Sequence, residues 1–352
     1  MATQQCSSDV TLGGKYHVQN TEPSSNSRRF LITGAKGFIG AWVVKNLVER
    51  GDRPWIFDVD RQSHRLRSLL SDDAMASVSF VAGDIARLEE LERAVAENGI
   101  THVIHLAALQ VPACAANPQL GAQTNVLGTL NVFEVARRRR DLVKHIVYAS
   151  SAAVFGPEEF YGTATVREGA LLEPSTHYGV FKQCNEGNAR VYYKSDGISS
   201  TGLRPWAVYG VGRDVGLTSD PTKAIKAGVV GRDYTIRFTG GLDLQYVDDT
   251  AKTFLRCAEG ELPGARVYTL RGTVTQMPDF IAALERDNPR AHGRIKAVGP
   301  QLPIAYDLDN GALIRDFRDA PNTPMAQGIR ETRVLFEQLN AAGRLTIEDL
   351  NA

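Results

Sequence analysis

Residues 30–44 read FLITGAKGFIGAWVV: an apolar run, glycines at 34, 37 and 40, then an amphipathic run. No other stretch of the chain restricts the fold as much. A strand has to end at the first glycine and a helix has to open by the third. Gly34 permits the tight turn, Gly37 lets backbone approach a ligand, and Gly40 allows close packing of helix on strand. The new helix offers unpaired N–H groups and the positive end of its dipole, a site made for a pyrophosphate. Asp58 ends the next apolar run. A carboxylate there accepts both ribose hydroxyls of an adenosine and repels a 2′-phosphate, so turn and acid together point to NAD. Arg61, close by, speaks for NADP.

The rest of the chain repeats the alternation. Strands are expected at 30–33, 54–58, 78–82, 102–107, 145–150, 201–205 and 266–270, with helices at 39–50, 87–97, 120–139 and 178–195. This spacing predicts an α/β protein, a Rossmann-type doubly wound parallel sheet covered on both faces. After Tyr209 the texture changes to glycine-rich and short helical segments. The expected organisation is a polar extension over 1–27 and a dinucleotide-binding domain over 28–209, to which 240–272 returns. A smaller C-terminal substrate lobe takes 210–239 and 273–352. The 352 residues, 43% of them apolar, suffice for such a core. Forty basic and forty acidic side chains leave no net field, which argues against nucleic-acid or membrane-surface binding as the main task. Cysteines at 6, 114, 184 and 257 form no CxxC pair or disulfide framework, and a reducing cytoplasm is expected. The seven histidines show no metal-ligand spacing.

Chemistry enters with HYGVFK, where Tyr178 and Lys182 stand one helical turn apart and share a face. A phenol with its usual pKa near 10 is a poor base at neutral pH. A neighbouring ammonium favours the phenolate, and such a tyrosine exchanges a proton with an alcohol while hydride leaves the same carbon. Ser150 and Ser151 end a buried strand at the same sheet edge, where a hydroxyl would bond the reacting oxygen; the plain alternative is a pair of capping serines.

With these residues in place, the chain resembles the extended short-chain dehydrogenase/reductase family in its NAD-dependent epimerase/dehydratase branch. The resemblance rests on TGAKGFIG, Asp58, GDI, HLAA, NVLGT, YASSAAVFG, YGVFK, LRPWAVYG and YVDDTA, and covers about residues 29–340. It implies a pyrophosphate turn at Gly34, Gly37, Phe38, Ile39 and Gly40, and an adenine pocket at Asp84 and Ile85. It places Leu106, Ala107 and Ala108 along the cofactor and Pro205 beside its nicotinamide. Asn125 is implied to position the active-site helix or the cofactor. Ser151 becomes the catalytic hydroxyl, Tyr178 the acid/base and Lys182 the ligand of the nicotinamide ribose. It also implies a homodimer built through the helices near 120–139 and 178–195.

The chain departs from the nucleotide-sugar members. Ala207 stands where they usually carry Asn, and Leu242 where they usually carry Arg. A diphosphate left without that Arg loses a bidentate partner. The expected substrate is therefore a small sugar-like or hydroxy-acid molecule, oxidised at a secondary alcohol. Arg213 is a candidate for a carboxylate, and Gln110 and Thr218 for hydroxyls. Asp248 and Asp249 are expected to cap and charge a helix N-terminus, and His177 is a weak substrate-side candidate. The alternative is an epimerase, of sugars or nucleotide sugars, that keeps its NAD. A non-catalytic NAD-binding protein ranks last, because Ser151, Tyr178 and Lys182 are all present. Dehydratase chemistry is disfavoured by Ala152 and Ala153, where the family's dehydratases carry an Asp-Glu pair.

Overall fold

The computed structural model describes residues 28–59, 62–162 and 165–351. The extension 1–27 and Arg61 lie outside the described residues. Twelve strands are described: β1 Phe30–Thr33, β2 Trp55–Asp58, β3 Ser79–Ala82, β4 His102–His105, β5 His145–Ala149, β6 Ser200–Arg204, β7 Ala207–Tyr209, β8 Tyr234–Ile236, β9 Gly241–Tyr246, β10 Ala265–Thr269, β11 Thr273–Gln276 and β12 Ile295–Ala297. Seven make one sheet in the order β10-β6-β5-β4-β1-β2-β3, and every pair in it is parallel. β1, β4 and β6 are buried along their whole length, as continuous apolar or small-residue runs sandwiched by helices must be. The strand order reverses between β1 and β4, so a crevice opens outside their carboxyl ends.

The seven strands of the large sheet fall within a residue or two of expectation, and the helices Phe38–Glu49, Leu88–Glu97 and His177–Asp196 likewise; the five strands outside it were not expected. The single helix expected over 120–139 is instead three pieces: Pro118–Ala122, a π-helical turn Gln123–Leu127 and Gly128–Arg138. Periodicity cannot reveal one extra residue in a helical turn, and here the turn holds Asn125. Thr176 caps the helix His177–Asp196 through Gly179 N–H, and Gly197 ends it in the left-handed region.

The smaller lobe is built on β11-β9-β7 and the parallel pair β12-β8, with helices Asp220–Val230, Met277–Asp287 and Met325–Ala341. Within 240–272, β9 joins this three-stranded sheet, and the return to the large sheet is made by the helix Val247–Gly260 and β10. Asp248 and Asp249 lie in the first turn of that helix and charge its N-terminus as expected, but neither makes a capping bond. Asp248 instead accepts from Asn46, and Asp249 from the Thr323 backbone and hydroxyl. Asp248 thus ties this helix to the helix Phe38–Glu49, and Asp249 ties it to the segment before Met325–Ala341. Among the described residues no helix is long and apolar enough to cross a membrane.

Candidate active site

The glycine turn forms one wall of a cavity at the switch point. Gly34 has φ +66°, and a Cβ there would lie 2.5 Å from the Ala107 nitrogen, so the ends of β1 and β4 meet in contact that only glycine allows. A Cβ on Gly40 would lie 2.5 Å from the Gly34 carbonyl oxygen. Gly40 thus lets the helix sit on its own turn, rather than on a neighbouring strand as the sequence suggested. The first bond within the helix runs from Ala41 N to Gly37 O. The N–H groups of Phe38, Ile39 and Gly40 have no helical acceptor and border the cavity. Asp58 accepts from Lys36 N at 3.3 Å and from Val59 N at 2.9 Å, which fixes its carboxylate beside the turn. A contact-tight turn, three free donors and a held carboxylate fit the phosphates and ribose of a dinucleotide.

The cavity is bounded by Gly34, Gly37, Phe38, Ile39 and Gly40 at one end and by Ser151, Tyr178, Lys182 and Pro205 at the other. Leu106, Ala108, Gln110, Arg213 and Thr218 also line it. Asp58, Asp84, Ile85, Ala107 and Asn125 do not border it. Asp58, Asp84 and Ile85 follow along the carboxyl edge of β2 and β3, where an adenosine would extend. The Asp84 side chain accepts from Ala86 N, and Ile85 is buried with its carbonyl bonded to Asn131. Ala107 supplies the backbone that Gly34 touches. Asn125 pins both backbone groups of Leu109, and its own carbonyl accepts from Asn185 on the helix of Tyr178. It therefore ties the loop bearing Gln110 to the active-site helix.

The two serines separate cleanly. Ser150 is buried and donates to Glu186 at 2.6 Å. Ser151 borders the cavity together with Tyr178, accepts from Ala153 N at 3.1 Å, and acts to lower the pKa of the Tyr178 hydroxyl. It is thus both a cap and a neighbour of the phenol. A Cβ on Gly179 would lie 2.2 Å from the Ala153 carbonyl oxygen, so this glycine lets the helix carry Tyr178 up against the serine loop. Glu186, eight residues on, holds the same helix down: its oxygens accept from Arg204 at 2.8 and 2.7 Å as well as from Ser150.

Lys182 departs from expectation. Its ammonium donates to Ala149 O at 2.7 Å and lies over the Tyr178 ring, 5.4 Å from the centroid, rather than at the hydroxyl. Burial lowers its pKa to about 8. Burial likewise pushes the Tyr178 hydroxyl up; Ser151 and the positive charge of Arg213 oppose that rise. The cation that favours the phenolate in this state is Arg213, a residue with no place in the Tyr–Lys spacing argument.

Arg213 sits above the Phe38 ring, 5.8 Å from guanidinium carbon to centroid, and donates to Thr218 at 3.0 Å. Its Nε is buried with no partner. His177 points elsewhere: it is exposed and stacks on Phe181. Sequence reasoning missed Trp206, which borders the cavity and donates to Ala305 O, and it missed the roles of Gly179 and Glu186. The glycine is quoted in YGVFK, but its contact is with a segment more than twenty residues away, which no spacing shows.

An all-parallel sheet with its ligand crevice at the β1/β4 reversal is a Rossmann-type nucleotide-binding fold. Residues 30–269 match the model of the NAD dependent epimerase/dehydratase family, and the chain belongs to that family of NAD-dependent enzymes. It is 32% identical to UDP-glucuronate 4-epimerase 6 of Arabidopsis thaliana, over 91% of this chain and 75% of that one. Among solved structures it is similar to the UDP-glucose 4-epimerase of Thermus thermophilus in complex with NAD, with TM-score 0.72 and 25% identity over 88% of this chain and 98% of that one. The holo form of a GalE-like L-threonine dehydrogenase from Cupriavidus necator shares the fold, with TM-score 0.73 and 23% identity over 87% of this chain and 99% of that one.

Proposed function

We propose that this protein uses NAD to oxidise a secondary alcohol of a small sugar-like or hydroxy-acid substrate. The observation that carries the reading is the meeting of Tyr178 and Ser151 with the glycine turn across one cavity. NAD, when bound, accepts hydride from the alcohol carbon. Tyr178 takes the hydroxyl proton, and Ser151 bonds the same oxygen as it becomes a ketone. Lys182 orients the nicotinamide ribose, and its low pKa lets it pass a proton on near neutral pH. Gly34, Gly37, Phe38, Ile39 and Gly40 hold the pyrophosphate, Asp58 the adenosine ribose, and Asp84 and Ile85 the adenine. Leu106, Ala107, Ala108 and Pro205 flank the rings, and Asn125 steadies the framework.

Replacing Tyr178 by Phe removes the proton acceptor and keeps the ring. NADH formation should fall by roughly 100-fold or more while NAD affinity stays within about two-fold. Unchanged turnover would remove Tyr178 from the reaction.

Epimerisation with retained NAD is the second reading, favoured by the likeness to a UDP-glucuronate 4-epimerase. Against a nucleotide sugar stand Leu242 and Ala207, where the nucleotide-sugar members usually carry Arg and Asn; both are buried and neither borders the cavity. We also propose a cytoplasmic homodimer. Its support is apolar side chains exposed on the two helical segments that the resemblance pairs: Leu120, Leu127, Val180 and Val191.

A further inference from the structure

We propose that Arg213, with Thr218 and Gln110, receives a carboxylate of the substrate, and that the substrate is therefore a small hydroxy acid rather than a neutral sugar. The inference rests on the Ser151–Tyr178–Lys182 reading and narrows it. A cation held away from water without a counter-ion is costly, and Lys182, the other cation at this cavity, meets a backbone carbonyl instead. Buried Arg204 is paired with Glu186 and buried Lys226 with Asp349. Arg213 has no such partner among the described residues: its neighbour Asp214 is taken by Arg65 and His64. The bond it does make, to a neutral threonine hydroxyl, leaves its Nε buried and unmet. A guanidinium presents its donors as a planar fork, the shape that grips a carboxylate with two parallel bonds.

Position identifies which anion belongs there. The pyrophosphate already has its donors in the turn, at Phe38, Ile39 and Gly40. Arg213 lies over the Phe38 ring and also within reach of Tyr178, on whose hydroxyl its charge acts. An anion on Arg213 is thus next to the reacting oxygen, as in an acid whose hydroxyl carbon is a few bonds from its carboxylate. The Gln110 amide oxygen and Arg213 Nη2 flank Gly216, at 2.2 and 3.1 Å from where a Cβ would stand there, so both reach one spot. Gln110 then reads a neighbouring hydroxyl. The overall change balances as hydroxy acid plus NAD⁺ giving keto acid, NADH and one proton, with the carboxylate kept intact.

The test compares wild type, Arg213→Gln and Arg213→Lys on four- to six-carbon aldonates, the matching alditols and UDP-glucuronate. Three readouts are taken: NADH formation, NAD affinity, and the change in fluorescence of bound NADH as each compound is added. The proposal expects wild type to prefer an aldonate over its alditol. Arg213→Gln should lose that preference by roughly 100-fold in kcat/KM, and Arg213→Lys should recover part of it. NAD affinity should change little, and Arg213→Gln without ligand should melt no lower than wild type, since an unpaired cation has gone. Equal use of acid and alditol by wild type, or weakened NAD binding as the main effect of Arg213→Gln, would overturn the proposal and leave the oxidoreductase reading standing. Arg213-dependent binding of UDP-glucuronate with no response to aldonates would also overturn it. If no compound yields NADH, the oxidoreductase reading fails by itself. The fluorescence titration still decides the carboxylate site, supporting it if aldonates bind in an Arg213-dependent way and overturning it if they do not.

Discussion

Asp58 shows how much one side chain settles. Its carboxylate is fixed by two backbone N–H groups beside the glycine turn, so it has no freedom to move away from an incoming 2′-phosphate. Asp58→Ser should cut the preference for NAD over NADP by about ten-fold or more, read from the two dissociation constants. An unchanged ratio would mean that the acid does not face the ribose. Tyr178 teaches a different lesson. The i,i+4 spacing identified it, yet the expected acidifying lysine turns its ammonium to the Ala149 carbonyl. The charge that acts on the phenol comes from Arg213, thirty-five residues away in sequence. Spacing places side chains on a shared face; it does not say which backbone oxygen a flexible lysine will choose.

The helix His177–Asp196 carries the proposed chemistry because two contacts set its height and tilt. At its first turn Gly179 touches the Ala153 carbonyl oxygen. Gly179→Ala should raise intrinsic helix propensity by about 1 kcal/mol. The methyl cannot fit, so stability and kcat are both expected to fall, the latter because Tyr178 is lifted from Ser151. A stable, fully active Gly179→Ala protein would show that the helix tolerates displacement. One turn past Lys182, Glu186 clamps β5 and β6 through Ser150 and Arg204. Glu186→Gln leaves Arg204 buried and unpaired, and a loss of about 3–5 kcal/mol in urea unfolding is expected. The seven strands of the large sheet and the helices Phe38–Glu49, Leu88–Glu97 and His177–Asp196 were legible in the sequence, because apolar runs and 3.6-residue periods report burial directly. The strands of the smaller lobe, the π-turn around Asn125, the partners of Asp248 and Asp249, and the membership of β9 were not. Each depends on long-range contacts that local pattern does not encode.

At the scale of the whole molecule, buried histidines set the acid limit. Burial lowers His105 to about 3 and His145 to about 4, against about 6.5 in the unfolded chain. Between those values the unfolded chain binds protons that the fold refuses. The stability is therefore complete above about pH 6.5 and is lost as pH falls toward 4. Together the two should cost about 4 kcal/mol at pH 5 relative to pH 7.5, and His145→Gln should remove about half of that dependence. A flat profile over this range would mean that the rings are solvated. For assembly, Leu127→Glu with Val191→Glu should convert a dimer to a monomer in light scattering; a wild-type monomer would remove the proposed interface. The central claim is that Tyr178 stands at the hydride-accepting end of a dinucleotide whose phosphates rest on the glycine turn. A crystal structure of the NAD complex measures this directly. The account predicts pyrophosphate oxygens on the N–H groups of Phe38, Ile39 and Gly40, the adenosine ribose on Asp58, and the nicotinamide beside the Tyr178 hydroxyl. A nicotinamide ring directed away from Tyr178, or a dinucleotide bound outside this cavity, would contradict it.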